Sequence, residues 1–200
     1  QWHLLHSVYK SAVANPPAIG YNKPIAKIHV QKEYIMWYAI LGAVLLAGDQ
    51  ILKYWVVTHL AVGESAPFLP GFMQLTRLHN YGAAWSSFSG RTVLLVVFTA
   101  VLLAAVALLL IKKVVRHWTG ITACTLILSG GIGNIIDRIV HGYVVDMFDL
   151  QLFSYPVFNL ADCCVVAGAI LGGIYYLFLY EKYDKKKKES DHAHDPSDPS

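Results

Sequence analysis

Long apolar runs separated by short polar connections dominate the chain. Ile35 to Val57, Thr92 to Ile111, Thr119 to Val140 and Ala161 to Tyr180 each hold about twenty mostly apolar residues. As helices they rise roughly 30–35 Å, matching a hydrocarbon core of about 30 Å. The second run carries no charge, the first contains Asp49 and Lys53, the third Asn134, Asp137 and Arg138, and the fourth opens on Asp162. Because every backbone polar group in lipid must be satisfied internally, the pattern predicts an all-α membrane protein, a four-transmembrane-helix bundle. Between the first two runs, Pro67 to Leu78 carries Pro-Gly and then mixed apolar and Thr residues. That stretch predicts a small extracytoplasmic β-like platform able to hold an extended peptide.

Three segments follow. Residues 1–34 contain Asn15-Pro16-Pro17 and Lys23-Pro24 and no long periodic apolar face, so a weakly ordered N-terminal extension is expected, with Met36 a candidate natural start. Residues 35–181 form the membrane domain. Residues 182–200 run from a lysine cluster into Glu, Asp, His, Ser and Pro and are expected to be a disordered cytoplasmic tail. The first run is read as a permanent span, not a cleaved leader, because no small-x-small site follows it and Asp49 and Lys53 interrupt its end.

Composition agrees, with 56% hydrophobic and 14% charged residues against about 25% charged in soluble domains. The net charge of +3 gives no reason to expect a nucleic-acid partner. The placement of the basic residues says more. Lys23, Lys27 and Lys32 precede the first run, Lys112, Lys113 and Arg116 fill the second connection, and Lys182 with Lys185 to Lys188 follow the last run. Connections rich in Lys and Arg stay cytoplasmic, so both termini should be inside. The stretch from His141 to Leu160 has no Lys or Arg and should face outward. Trp37, Tyr38, Tyr54, Trp55, Trp118 and Tyr180 fall near the run ends, as an aromatic belt does.

An ionised side chain at a bilayer centre costs about 2.5–3.5 kcal/mol on insertion scales and commonly marks a site. Asp49 and Lys53 share a helix face and lie in the outer half of the first run; mutual neutralisation explains them as well as substrate contact does. Asn134, Asp137 and Arg138 lie in the outer part of the third run, where a supporting hydrogen-bond network is the expected role. Asp146 and Asp149 fall in the outward connection, where a polar turn would explain either. Asn159 and Asp162 have the spacing of a helix N-cap and an acidic N3 residue, so capping alone accounts for that pair. Taken together, the orientation gathers these residues at one depth near the outer surface.

Two carboxyls close together in a partly dehydrated site cannot both ionise easily and share a proton. One then activates water while the other protonates the carbonyl or leaving amine, which is peptide hydrolysis without metal or covalent intermediate. A helix N-terminus favours the anionic form of Asp162, making it the base and Asp146 the acid. A thiol mechanism using Cys163 or Cys164 with His79 or His141 is the weaker reading, since adjacent cysteines on a helix point in different directions and free Cys is commonly an apolar filler. Two other classes compete. One is a proton or ion pathway lined by Asp49, Asp137 and Asp162; the other is a metal-dependent lipid enzyme holding Mg²⁺ with Asp137, Asp146 and Asp162.

Five short motifs occur in order: Asp49-Gln50-Ile51-Leu52-Lys53, Asn80-Tyr81-Gly82-Ala83-Ala84-Trp85-Ser86, Gly133-Asn134-Ile135-Ile136-Asp137-Arg138, Val144-Val145-Asp146 and Phe158-Asn159-Leu160-Ala161-Asp162. With them, the stretch from about Ile35 to Tyr180 resembles the lipoprotein signal peptidases, the signal peptidase II family of bacterial intramembrane aspartyl proteases. The resemblance implies catalytic aspartates at Asp146 and Asp162, with Asp137 the rival for the first seat. It implies supporting or substrate-binding roles for Asp49, Lys53, Asn80, Asn134, Asp137, Arg138 and Asn159, with Gly133 and Ala161 beside them in the motifs. The implied substrate is a diacylglyceryl-modified prolipoprotein cut just before its lipidated cysteine. No cofactor or metal is expected, the location is the bacterial inner membrane with the site near its extracytoplasmic surface, and a monomer in contact with membrane lipid is expected.

Overall fold

The computed structural model describes residues 23–82 and 91–185, with side chains described for 35–82 and 91–184. Residues 1–22, the Ala83–Ser86 part of the second motif and most of the expected tail lie outside the described residues. Residues 1–37 and 38–200 form separate units; the described part of the first is the start of helix α1, and the account below concerns the second.

Helix α1 (Lys23–His59) is followed by strands β1 (Ser65–Leu69) and β2 (Met73–Asn80), helices α2 (Thr92–Ile111) and α3 (Trp118–His141), strand β3 (Val144–Leu150) and helix α4 (Leu160–Ile174). A π-helical stretch, Tyr175–Lys185, continues α4 past the Tyr180 end read from the sequence. Among the described residues, four helices are long and apolar enough to cross a membrane: Ile35–His59, Thr92–Ile111, Trp118–His141 and Leu160–Asp184. Their outward faces expose Val93, Phe98, Val101, Ile170 and Leu177, as lipid-facing surfaces do.

Helix α3 is the centre of the bundle because its sequence is small where its neighbours come close. Gly120, Ala123, Cys124, Ser129, Gly130, Gly131 and Gly133 are all buried along it. A Cβ at Gly130 would stand 2.3 Å from the carbonyl oxygen of Ala161, and one at Gly168 would stand 2.9 Å from that of Ala123. Neither leaves room for a methyl group, so α3 and α4 touch backbone to backbone. At Gly172, four residues further along α4, a Cβ would find ordinary contact at 3.7 Å.

The strand platform is larger than the sequence suggested. It is a three-stranded antiparallel sheet in the order β1-β2-β3, and its third strand comes from the outward connection, where the sequence points to a polar turn. Asp146 and Asp149 therefore lie in a strand. Pairing of Asn80 with Val144, Leu78 with Asp146 and Gln74 with Asp149 sets the register, with an irregularity between Leu75 and Leu78. The strand forms because Val145 and Met147 are buried against Val56 and Leu60 at the end of α1. Two backbone hydrogen bonds from the Arg77 side chain, to the carbonyls of Val57 (3.0 Å) and Leu60 (2.9 Å), tie the sheet to that helix end.

Candidate active site

The site lies where the end of α1, the end of α3 and the start of α4 meet the sheet. Helix α4 begins with a complete capping box: Asn159 Oδ1 accepts from the Asp162 backbone N–H at 2.8 Å, and Asp162 Oδ2 accepts from the Asn159 N–H at 3.2 Å. The capping read from the sequence is present, but it uses only part of either side chain. The Asn159 amide nitrogen donates to Asp146 Oδ1 at 2.7 Å, and Asp162 Oδ1 accepts from Asn134 Nδ2 at 2.8 Å. Asn80 Nδ2 donates to Asp146 Oδ2 at 2.9 Å. Both carboxylates are thus held by neutral amides, and one asparagine touches both.

Asp146 is 1% exposed. Burial, and then the charge of the neighbouring Asp162, push its carboxyl up to about 7, against the opposing pull of hydrogen bonds from Asn80 and Asn159. Such a carboxyl is still about half protonated near neutrality.

A second tier lies beneath. Lys53 Nζ stands 2.8 Å from Asp49 Oδ2, 3.0 Å from Asp137 Oδ2 and 3.1 Å from Asn134 Oδ1. Asp49 Oδ1 accepts from the Ala161 N–H at 2.9 Å, and Asp137 Oδ2 from the Val145 N–H at 3.1 Å. These amides belong to the residues directly before Asp162 and Asp146. A Cβ at Gly133 would meet Asp49 Oδ2 at 2.7 Å, so glycine leaves space for that carboxylate. Arg138 donates to the Gly82 carbonyl at 2.7 Å and the Asn134 carbonyl at 3.3 Å, while Asn80 Oδ1 accepts from the Gly82 N–H at 2.9 Å.

The structure therefore brings together Asp49, Lys53, Asn80, Gly133, Asn134, Asp137, Arg138, Asp146, Asn159, Ala161 and Asp162. It also separates their environments. Asp49 and Asp137 are ion-paired with Lys53, whereas Asp146 and Asp162 accept hydrogen bonds from amide donors. Asp149 stands apart, accepting from Gln74 at 2.7 Å and Thr76 at 3.0 Å across the sheet.

The rival chemistries fit less well. His79 and His141 both stack on Tyr143, with ring centroids 3.8 and 5.7 Å away, and burial lowers the affinity of His79 for a proton, with Arg77 and His141 adding to that. Cys164 is buried and Cys163 exposed, both as free thiols. Engagement of Asp137 by Lys53 occupies one of the three carboxylates a Mg²⁺ site would have used. Two polar residues escaped the reading of the sequence as site components. Gln50 bridges Asp49 and Asp137, and Arg77 caps α1; in each case the only signal was a polar residue inside or beside an apolar stretch.

The family model for signal peptidase (SPase) II matches residues 41–178. A lipoprotein signal peptidase of Enterococcus faecalis is 40% identical over 151 residues, covering 76% of this chain and 93% of the relative. That of Clostridium acetobutylicum is 37% identical over 150 residues, covering 74% and 97%. A solved bacterial membrane enzyme, determined by the in meso method at 2.3 Å resolution, superposes with a TM-score of 0.68 at 27% identity, covering 84% of this chain and 96% of its own. A second, at 1.9 Å, has a TM-score of 0.67 at 32% identity, covering 73% and 96%.

Proposed function

This chain belongs to the signal peptidase II family, and from that premise we propose that Asp146 and Asp162 make it an aspartic endopeptidase. It is a multi-pass bacterial membrane protein that removes signal peptides from prolipoproteins. The substrate is the diacylglyceryl-modified precursor, and the cut falls just before the lipidated cysteine.

The observation that carries the catalytic reading is the contrast among buried carboxylates. Asp49 and Asp137 both have Lys53 as an ion-pair partner. Asp146 and Asp162 are instead held by amides and coupled through Asn159, so a proton shared between them is the available compensation. Asp162, at the N-terminus of α4, is favoured as the anion and takes the proton of the attacking water. Asp146, whose carboxyl is pushed up to about 7, gives its proton to the scissile carbonyl oxygen; as the tetrahedral intermediate collapses, Asp162 passes the proton taken from water to the leaving amine and Asp146 recovers one from the gem-diol hydroxyl. Since the pair titrates as a unit, these roles describe the starting state.

The topology supports a site at the outer interface. The end of α3, the start of α4 and the sheet share one side of the bundle, while Lys112, Lys113 and Arg116 join α2 to α3 at the other. A signal helix and acyl chains can stay in lipid there while the scissile bond meets water, with both termini cytoplasmic and one chain sufficient for the site.

The test is cleavage of a diacylglyceryl-modified prolipoprotein by purified protein in detergent, with chelator present. The released peptide should end one residue before the modified cysteine. Chelator-sensitive cleavage, or cleavage elsewhere, would refute the proposal.

A further inference from the structure

Gln50 follows Asp49 on α1, and its amide nitrogen stands 3.2 Å from Asp49 Oδ2, 3.1 Å from Asp137 Oδ1 and 3.4 Å from the Gly133 carbonyl oxygen. Three acceptors around one end of the side chain require the NH₂ group there. The carboxylates it joins are the two that grip the amides of Ala161 and Val145, each one residue before a member of the dyad. The separation of Asp49 from Asp137 is therefore transmitted through two hydrogen bonds to the backbone carrying Asp162 and Asp146.

Lys53 joins the same carboxylates at 2.8 and 3.0 Å, but an ammonium group is a point charge on a flexible stem and gives attraction with little direction. A planar amide gives direction, because its two N–H bonds are fixed in one plane. It also adds no charge. Two carboxylates and one lysine already leave the buried set with an excess negative charge, which a third carboxylate would worsen and a neutral donor does not.

We propose that Gln50 is a positioning residue for peptide hydrolysis: its amide links Asp49 to Asp137 and, through them, fixes the separation of Asp146 and Asp162. The assignment rests on the aspartic peptidase reading above. Gln50 touches no reacting atom and acts through the two supporting carboxylates.

The test uses the full chain in detergent with a lipid-modified prolipoprotein as substrate. Gln50→Leu keeps the size and removes the donors, so kcat should fall about 10- to 100-fold while KM changes little, as for a misplaced catalytic group. Gln50→Glu should fall further. The readout that separates positioning from packing is the pH profile: with the dyad no longer held at its native separation, the Asp162 charge acts differently on Asp146, and the alkaline limb of kcat/KM should shift in Gln50→Leu. Wild-type kcat in Gln50→Leu, or a lowered kcat with the limb unmoved, would overturn the assignment. If Gln50→Leu fails to fold, Gln50→Met, which has a similar reach and no donor, is read in the same way. Failure of wild type to cleave, or normal cleavage by Asp146→Asn, would instead refute the peptidase reading.

Discussion

The side-chain amide of Asn159 donates to Asp146 Oδ1 at 2.7 Å across thirteen residues of chain. The same side chain caps α4 through its oxygen, at 2.8 Å from the Asp162 N–H, so folding the helix also fixes one arm of the site. The two roles come apart by substitution. Asn159→Ser keeps a capping oxygen and loses the amide, and should retain thermal stability while kcat falls about 100-fold or more, the scale of a lost acid–base contribution. Asn159→Ala loses both and should also lose about 0.5–2 kcal/mol of stability. Thermal unfolding and steady-state kinetics on the two variants separate the effects.

The raised Asp146 carboxyl fixes the sign of the pH dependence. Its proton is held up to about 7 in the folded protein and released from an ordinary carboxyl value of 3.8 when unfolded. Its contribution to stability is therefore greatest below about pH 4 and declines as the pH rises toward about 7. Activity should fall on the alkaline side, with a limb of kcat/KM near pH 7. Removing the neighbouring charge with Asp162→Asn should lower the Asp146 value and shrink the fall in thermal midpoint between pH 4 and 7. An unchanged midpoint profile would contradict the coupling.

Lys53 compensates two carboxylates whose side chains are 2–3% exposed, with its own at 4%. Lys53→Met leaves both buried without their cation, and losing one partner of a buried pair costs about 3–5 kcal/mol. The expected result is a large drop in thermal midpoint together with loss of cleavage. Lys53→Met accompanied by Asp49→Asn and Asp137→Asn should regain stability but not full activity.

Local geometry was legible along the chain, and long-range geometry was not. Asp49 with Lys53, and Asn159 with Asp162, interact within one helical turn, so their spacing announced them. The sequence puts Asp146 in a loop, whereas it lies in a strand, because that strand is defined by pairing with β2, more than sixty residues earlier. Strand pairing of that range leaves only a short alternation, Val144 to Asp149, that a turn explains equally well. Gln50 stands in the first motif, but its role is hidden for a similar reason, since its distant partners Gly133 and Asp137 come from α3. Asp184 belonged to what read as a tail, yet it is buried and accepts from the N–H groups of Arg116 and His117, each at 3.1 Å.

Glycine packing gives a contrast free of chemistry. Gly130→Ala would drive its new methyl into the Ala161 backbone oxygen, 2.3 Å away, whereas Gly172→Ala would meet Ala123 at 3.7 Å. Overpacking of this kind costs about 1–3 kcal/mol. Gly130→Ala should lower the thermal midpoint and disturb the start of α4, and with it cleavage; Gly172→Ala should be close to neutral in both.

The central claim is that two aspartates, and not their ion-paired neighbours, perform the chemistry. Single-turnover cleavage of a lipid-modified prolipoprotein, with folding checked by thermal unfolding and chelator present throughout, measures this directly for Asp146→Asn, Asp162→Asn, Asp137→Asn and Asp149→Asn. The account predicts no detectable cleavage by the first two, impaired cleavage by the third through lost support, and near wild-type cleavage by the fourth. Normal cleavage by a folded Asp146→Asn or Asp162→Asn protein would contradict it.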